Sequence, residues 1–150
     1  CQKGCRKMGV SIVSKNKAID LGYGGFNRLR TKVSELINSE IAKHYKELEQ
    51  SSFLFGEKRE EYIKKYDAET ERLDKKYDYK YNSVLHFLYA CDCGATMKVD
   101  VCKELYEVIK DYDDDDTLYG YSGREDCTRF KDFKELVKDC IDNNEPMEWC

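Results

Sequence analysis

Proline is nearly absent from this chain, which has Pro146 alone among 150 residues. With 37% charged residues and no turn signals every 8 to 12 positions, that scarcity argues against a sandwich of many short strands and toward helix. Long apolar runs are also missing. The longest near-apolar segment, Val84 to Ala90, is interrupted by His86 and is far short of the roughly 20 residues that span a bilayer. A formal net charge of -4, with both signs interspersed, gives no attraction to nucleic acid or anionic lipid. No Asn-x-Ser/Thr sequon occurs, so N-glycosylation is not expected. Only two histidines are present, His44 and His86, and neither has an Asp or Ser at a spacing that suggests a catalytic pair. Cysteine is missing from the 85 residues between Cys5 and Cys91.

The length suits one domain over residues 1–150. The segment Cys1 to Asn27 reads as a short helix or irregular arm, with Val10, Ile12, Val13, Ile19 and Leu21 as apolar spots. Gly22-Tyr23-Gly24-Gly25 reads as a breaker. From Asn27 as N-cap, the spacing of Leu29, Val33, Leu36, Ile37, Ile41, Tyr45 and Leu48 predicts a helix over about 28–50. Phe53-Leu54-Phe55-Gly56 reads as an apolar link folded back on the core, with an exposed partner-binding tip as the alternative.

The stretch Glu57 to Cys93 contains no Gly or Pro, and its apolar stripe predicts a continuous helix over about 57–90. That stripe is rich in tyrosine: Tyr62, Tyr66, Tyr77 and Tyr81 follow it and Tyr79 falls off it, which reads as a wet core edge. Folded against the first helix it makes a long antiparallel hairpin. Shorter helices follow over about 96–112 (Met97, Val101, Leu105, Val108, Tyr112) and about 128–142 (Phe130, Phe133, Leu136, Val137, Cys140, Ile141). The expected fold is an all-α, disulfide-stapled helical bundle.

Eight cysteines, Cys1, Cys5, Cys91, Cys93, Cys102, Cys127, Cys140 and Cys150, read as up to four disulfides and an oxidising, extracellular setting. The start at Cys1 suggests a chain whose leader has been removed. Bridges from Cys1 and Cys5 to two of Cys91, Cys93 and Cys102 are expected, tying the N-terminal arm to the C-terminal half. The remaining cysteines would pin the last helix and the tail. A loop that long, once closed, contributes about 4 kcal/mol in the chain-entropy model. Cys91, Cys93, Cys102 and His86 make a poor zinc set, since Cys-x-Cys lacks the usual paired spacing. The acidic run from Asp111 starts like a calcium loop with Asp113 and Asp115, but Asp116 stands where the sharp turn needs Gly and Ser122 where a bidentate Glu is needed. Neither a metal nor another cofactor is therefore expected.

Tyr23-Gly24-Gly25 and Cys91-Asp92-Cys93 resemble fragments of insect-type secreted phospholipases A2. Those enzymes also need a His-Asp pair beside a double cysteine, and here His86 precedes Phe87 and no Cys-Cys exists. No catalytic residue is assigned. In overall build (the Cys1 start, four potential bridges, charged helices and a terminal Cys150) the chain resembles small disulfide-stapled helical proteins of blood-feeding insect saliva or parasite effectors. The resemblance implies binding to a host haemostatic, complement or immune-signalling protein. The expectation is thus a secreted, non-enzymatic binding protein with an extracellular protein partner, acting through Asp113, Asp114, Asp115, Asp116, Tyr119 and Tyr121 or the exposed face of the hairpin. Acidity beside exposed tyrosines suits a basic partner. The alternative is a carrier of a small hydrophobic ligand.

Overall fold

Val10 and Ile12 alternate with Ser11 and Val13, and the same period recurs at Ile19 to Leu21. The computed structural model describes residues 9–91, 94–112, 119 and 128–150, and in it these runs form β1 (Val10–Val13) and β2 (Ala18–Leu21). They pair antiparallel in the register Val10↔Leu21 and Ile12↔Ile19. Strand side chains alternate faces, so Val10, Ile12 and Leu21 are fully buried while Val13 and Asp20 lie outside. Asp139 fixes the turn between them, accepting from Ser14 Oγ at 2.5 Å, the Asn16 amide N–H at 2.9 Å and Asn16 Nδ2 at 3.1 Å.

Two further strands, β3 (Ala95–Met97) and β4 (Met147–Trp149), complete an antiparallel sheet in the order β2-β1-β4-β3. The expected all-α, disulfide-stapled bundle is therefore wrong: the fold is a mixture of helices and a four-stranded sheet. The N-terminal arm does meet the C-terminal half, through a backbone ladder in which the Ser11 and Cys150 N–H groups each donate to the other's carbonyl, at 2.9 and 3.1 Å.

The helices are α1 (Tyr23–Ile37), α2 (Ser39–Glu47), α3 (Glu57–Lys76), α4 (Asn82–Tyr89), α5 (Val99–Ile109) and α6 (Phe130–Asn143). A 3-10 turn, Leu48–Phe53, follows α2. The helix expected over 28–50 starts earlier and divides at Asn38, whose extended backbone stops α1 and whose side chain caps α2 by accepting from the Ile41 N–H at 2.8 Å. Gly24 and Gly25 lie inside α1, so the expected breaker is a helix start. Gly25 has no room for a side chain, because a Cβ there would lie 1.8 Å from the Tyr119 carbonyl oxygen.

The helix expected over 57–90 breaks between α3 and α4. The Tyr79 N–H donates to the Asp74 carbonyl and the Asp78 N–H to the Lys75 carbonyl, with Asp78 left-handed at φ 55°, which is a Schellman stop. The break lets α4 turn into the core, where Val84, Leu85, Phe87 and Leu88 are all buried. The expected long hairpin is accordingly reduced to α2 and its 3-10 turn against α3.

The main core is aromatic at its centre. Phe87 meets Phe26, Phe133 and Trp149 with ring centroids 6.5, 5.7 and 5.8 Å away, and the Arg30 guanidinium lies 4.2 Å from the Phe26 ring centre. Arg30 also donates to the Leu88 and Ala90 carbonyls at 2.9 and 2.7 Å, closing the C-terminus of α4. Trp149 Nε1 donates to the Cys91 carbonyl at 2.8 Å. Cys91 and Cys150 each take part in a disulfide, whereas Cys102 and Cys140 are buried free thiols. Cys102 lies against Cys140 rather than in a bridge to the arm, which removes it from the expected N-terminal pairing.

Candidate functional site

In the helical arm made by α2, the 3-10 turn and α3, Ile41 and Tyr45 root α2 in the main core, whereas α3 stands apart from it. Only Tyr66 and Leu73 of α3's 20 residues are buried, and neither joins the central cluster. The contact beneath the arm is polar and aromatic. His44 of α2 stacks on Tyr66 with centroids 3.9 Å apart, and its Nε2 lies 2.7 Å from Thr70 Oγ1. Thr70 spends its own proton on the Tyr66 carbonyl at 3.0 Å, so His44 Nε2 is the donor and Nδ1 is left as the buried acceptor. Tyr66 and Tyr89 share a hydrogen bond of 2.8 Å between hydroxyls, and burial pushes both phenols up from their ordinary range. Tyr62 OH donates to the Glu47 carbonyl at 2.6 Å, pinning α3 to the end of α2.

Beyond that pin the arm ends in an apolar tip. Phe53 is 70% exposed and Phe55 82%, with Leu54 between them half-buried. The tip backbone is ordered by its own neighbours: Ser51 and Ser52 hydroxyls donate to the Leu48 and Glu49 carbonyls at 2.8 and 2.7 Å, and the Leu54 N–H donates to the Ser51 carbonyl. Gly56 turns the chain into α3 at φ 59°, ψ -134°, a conformation suited to glycine, with nothing within 4 Å of where a Cβ would sit. Exposed Glu49, Glu57, Lys58, Arg59, Glu60 and Glu61 flank the tip in sequence. The link therefore does not fold back on the core as first expected.

Of the residues expected to bind a partner, Asp113, Asp114, Asp115, Asp116 and Tyr121 lie outside the described residues, as do Cys1, Cys5, Cys93 and Cys127. Tyr119 is described and is 3% exposed, its ring 6.1 Å from that of Phe130. It is a core residue whose backbone lies on Gly25, and this removes it from the expected binding set. Tyr112, at the head of the acidic run, packs edge-on to Phe130 at 4.9 Å, with Lys32 Nζ 5.2 Å from its ring centre.

Among the described residues no three His, Cys, Asp or Glu side chains gather as a metal set, and no helix is long and apolar enough to cross a membrane. His86 sits exposed on α4, a different helix from that of His44. No family model, curated protein or solved structure matches the chain.

Proposed function

We propose that this chain is a secreted, non-enzymatic binding protein that engages an extracellular protein, and that its contact is the Phe53-Leu54-Phe55 tip of the helical arm. One observation carries the reading: two phenylalanines, 70% and 82% exposed, are held in solvent by a locally hydrogen-bonded turn. Leaving two rings in water forgoes burial that stabilises by about 1.5 to 3 kcal/mol for each. A partner pocket recovers that burial, and aromatic anchors are the usual centre of a binding hot spot. The disulfides at Cys91 and Cys150 favour the extracellular setting.

A carrier of small hydrophobic ligands needs an enclosed apolar space between its elements. Here the central space is packed by Phe26, Phe87, Phe130 and Phe133, each at 1% exposure or less.

The test is binding by the oxidised chain and by its Phe53→Ser/Phe55→Ser variant to proteins captured from extracellular fluid. Both positions are exposed, so the variant keeps its thermal midpoint. A partner held by the parent chain and weakened about 100-fold or more in the variant is the expected result. Equal retention by both overturns the assignment of the tip, and recovery of lipid alone overturns the protein-binding reading.

A further inference from the structure

Cys102 and Cys140 meet inside the α5–α6 interface. Cys102 lies on the buried side of α5 with Leu105 and Ile109, and Cys140 on the buried side of α6 with Phe133, Leu136 and Val137; all are fully enclosed. The two sulfurs are close enough for each to perturb the other's ionisation, and the Cys102 thiol faces the Met97 carbonyl of β3 at 3.8 Å. Two neighbouring sulfurs on directly packed helices reach bonding distance by side-chain rotation, provided that their helices stay where they are. A thiol pair is also a weak use of so central a site, because thiols are poor hydrogen-bonding partners. Elsewhere in the chain, Cys91 and Cys150 are already oxidised.

We propose that Cys102 and Cys140 form a covalent cross-linking site: in the oxidised chain a disulfide between them joins α5 to α6. The oxidant is a low-molecular-weight disulfide such as oxidised glutathione, acting before the core closes. The Cys102 thiolate attacks one sulfur of that disulfide and expels one small thiolate. Cys140, after losing its proton, then attacks the Cys102 sulfur of the mixed disulfide and expels the second. Two protein thiols lose two electrons and two protons in all, and the oxidant leaves as two thiols. The bond closes a loop from Lys103 to Asp139 and fixes the two helices to each other. Packing then orients the sulfurs, and the bond removes freedom from the unfolded chain.

Mapping of the full chain tests this directly. Protein refolded with oxidised and reduced glutathione is denatured without reductant in iodoacetamide, then digested with trypsin and a Glu-specific protease. The second protease is needed because trypsin leaves Cys140 and Cys150 on one peptide, which cleavage after Glu148 divides. The expected result is the Cys102 peptide joined to the Cys140 peptide, with neither sulfur alkylated. Alkylation of both, in protein whose Cys91 and Cys150 are oxidised, overturns the proposal, as does either sulfur bonded to another cysteine. The variants give a second measure. Cys102→Ala, Cys140→Ala and the double substitution should each lower the thermal midpoint by a similar amount, about 10 °C, because losing either sulfur loses the same bond. Separate losses that simply add in the double variant overturn it.

Discussion

Gly24 and Gly25 are adjacent in sequence and in helix α1, yet the structure gives them opposite consequences. A Cβ at Gly24 would meet only Arg28 Nη2 at 3.7 Å, an ordinary contact with a flexible side chain; one at Gly25 would strike the Tyr119 backbone. Gly24→Ala should therefore stabilise by about 0.5 to 1 kcal/mol through helix propensity. Gly25→Ala should destabilise by about 3 kcal/mol or more by forcing the Tyr119 segment off α1. Urea midpoints of the two variants check both signs. His44 gives a second contrast at this scale. Burial lowers its pKa most, the nearby Glu69 and Glu47 carboxylates and the Tyr66 carbonyl pull it up, and Arg72 lowers it slightly; the net direction is down. A folded pKa below the unfolded value of about 6.5 means that the unfolded chain binds the proton first. His44 therefore leaves stability at its full value above about pH 6.5, and stability falls as pH drops below that toward the folded pKa. A proton on Nδ1 would have no acceptor among the described residues. Urea midpoints taken from pH 7.5 to 5 should fall for the parent chain and fall less for His44→Gln.

At the scale of elements, what sequence shows depends on how many residues state the period. Helix α6 was legible because Phe130, Phe133, Leu136, Val137 and Cys140 repeat one face over 14 residues. Strands β3 and β4 have three residues each, too few to separate alternation from a fragment of helix, and they exist because β1 supplies a ladder for β4. The α3–α4 break was hidden for a different reason. Chains usually mark a left-handed stop with glycine, and here Asp78 and Tyr79 occupy φ 55° and 59° without one. The need to seat Phe87 and Leu88 in the core outweighs that strain. Asp78 is exposed and its place in the Schellman stop suits glycine, so Asp78→Gly should raise stability by about 1 kcal/mol. If the break were a chance distortion of a helix meant to continue, the same change would destabilise by about as much. Denaturant unfolding of the variant separates the two.

Across the whole molecule, a densely packed body of sheet and helices carries an arm that is polar beneath and apolar at its end. The sequence suggested two long helices able to bury their stripes against each other, and that suggestion failed where burial failed. α3 has tyrosine where a core helix has leucine, and Tyr62, Tyr66 and Tyr77 use their hydroxyls on the Glu47 carbonyl, Tyr89 and Glu40. The tip was legible as a group of apolar residues; its exposure was not, because exposure depends on how far the arm reaches past the body. Such a division predicts two levels of opening. Amides of α5 and α6, surrounded by fully buried Leu105, Ile109, Phe133, Leu136 and Val137, should exchange with solvent only through global unfolding. Amides in the middle of α3, from Glu61 to Lys65, lie under largely exposed side chains and should exchange at least about 100-fold faster through local opening of the arm. Hydrogen exchange followed by mass spectrometry reads both groups in one experiment. If α3 were protected as strongly as α5, the arm would belong to the body's cooperative unit, and the tip would then have to meet its partner as a rigid projection of the whole fold.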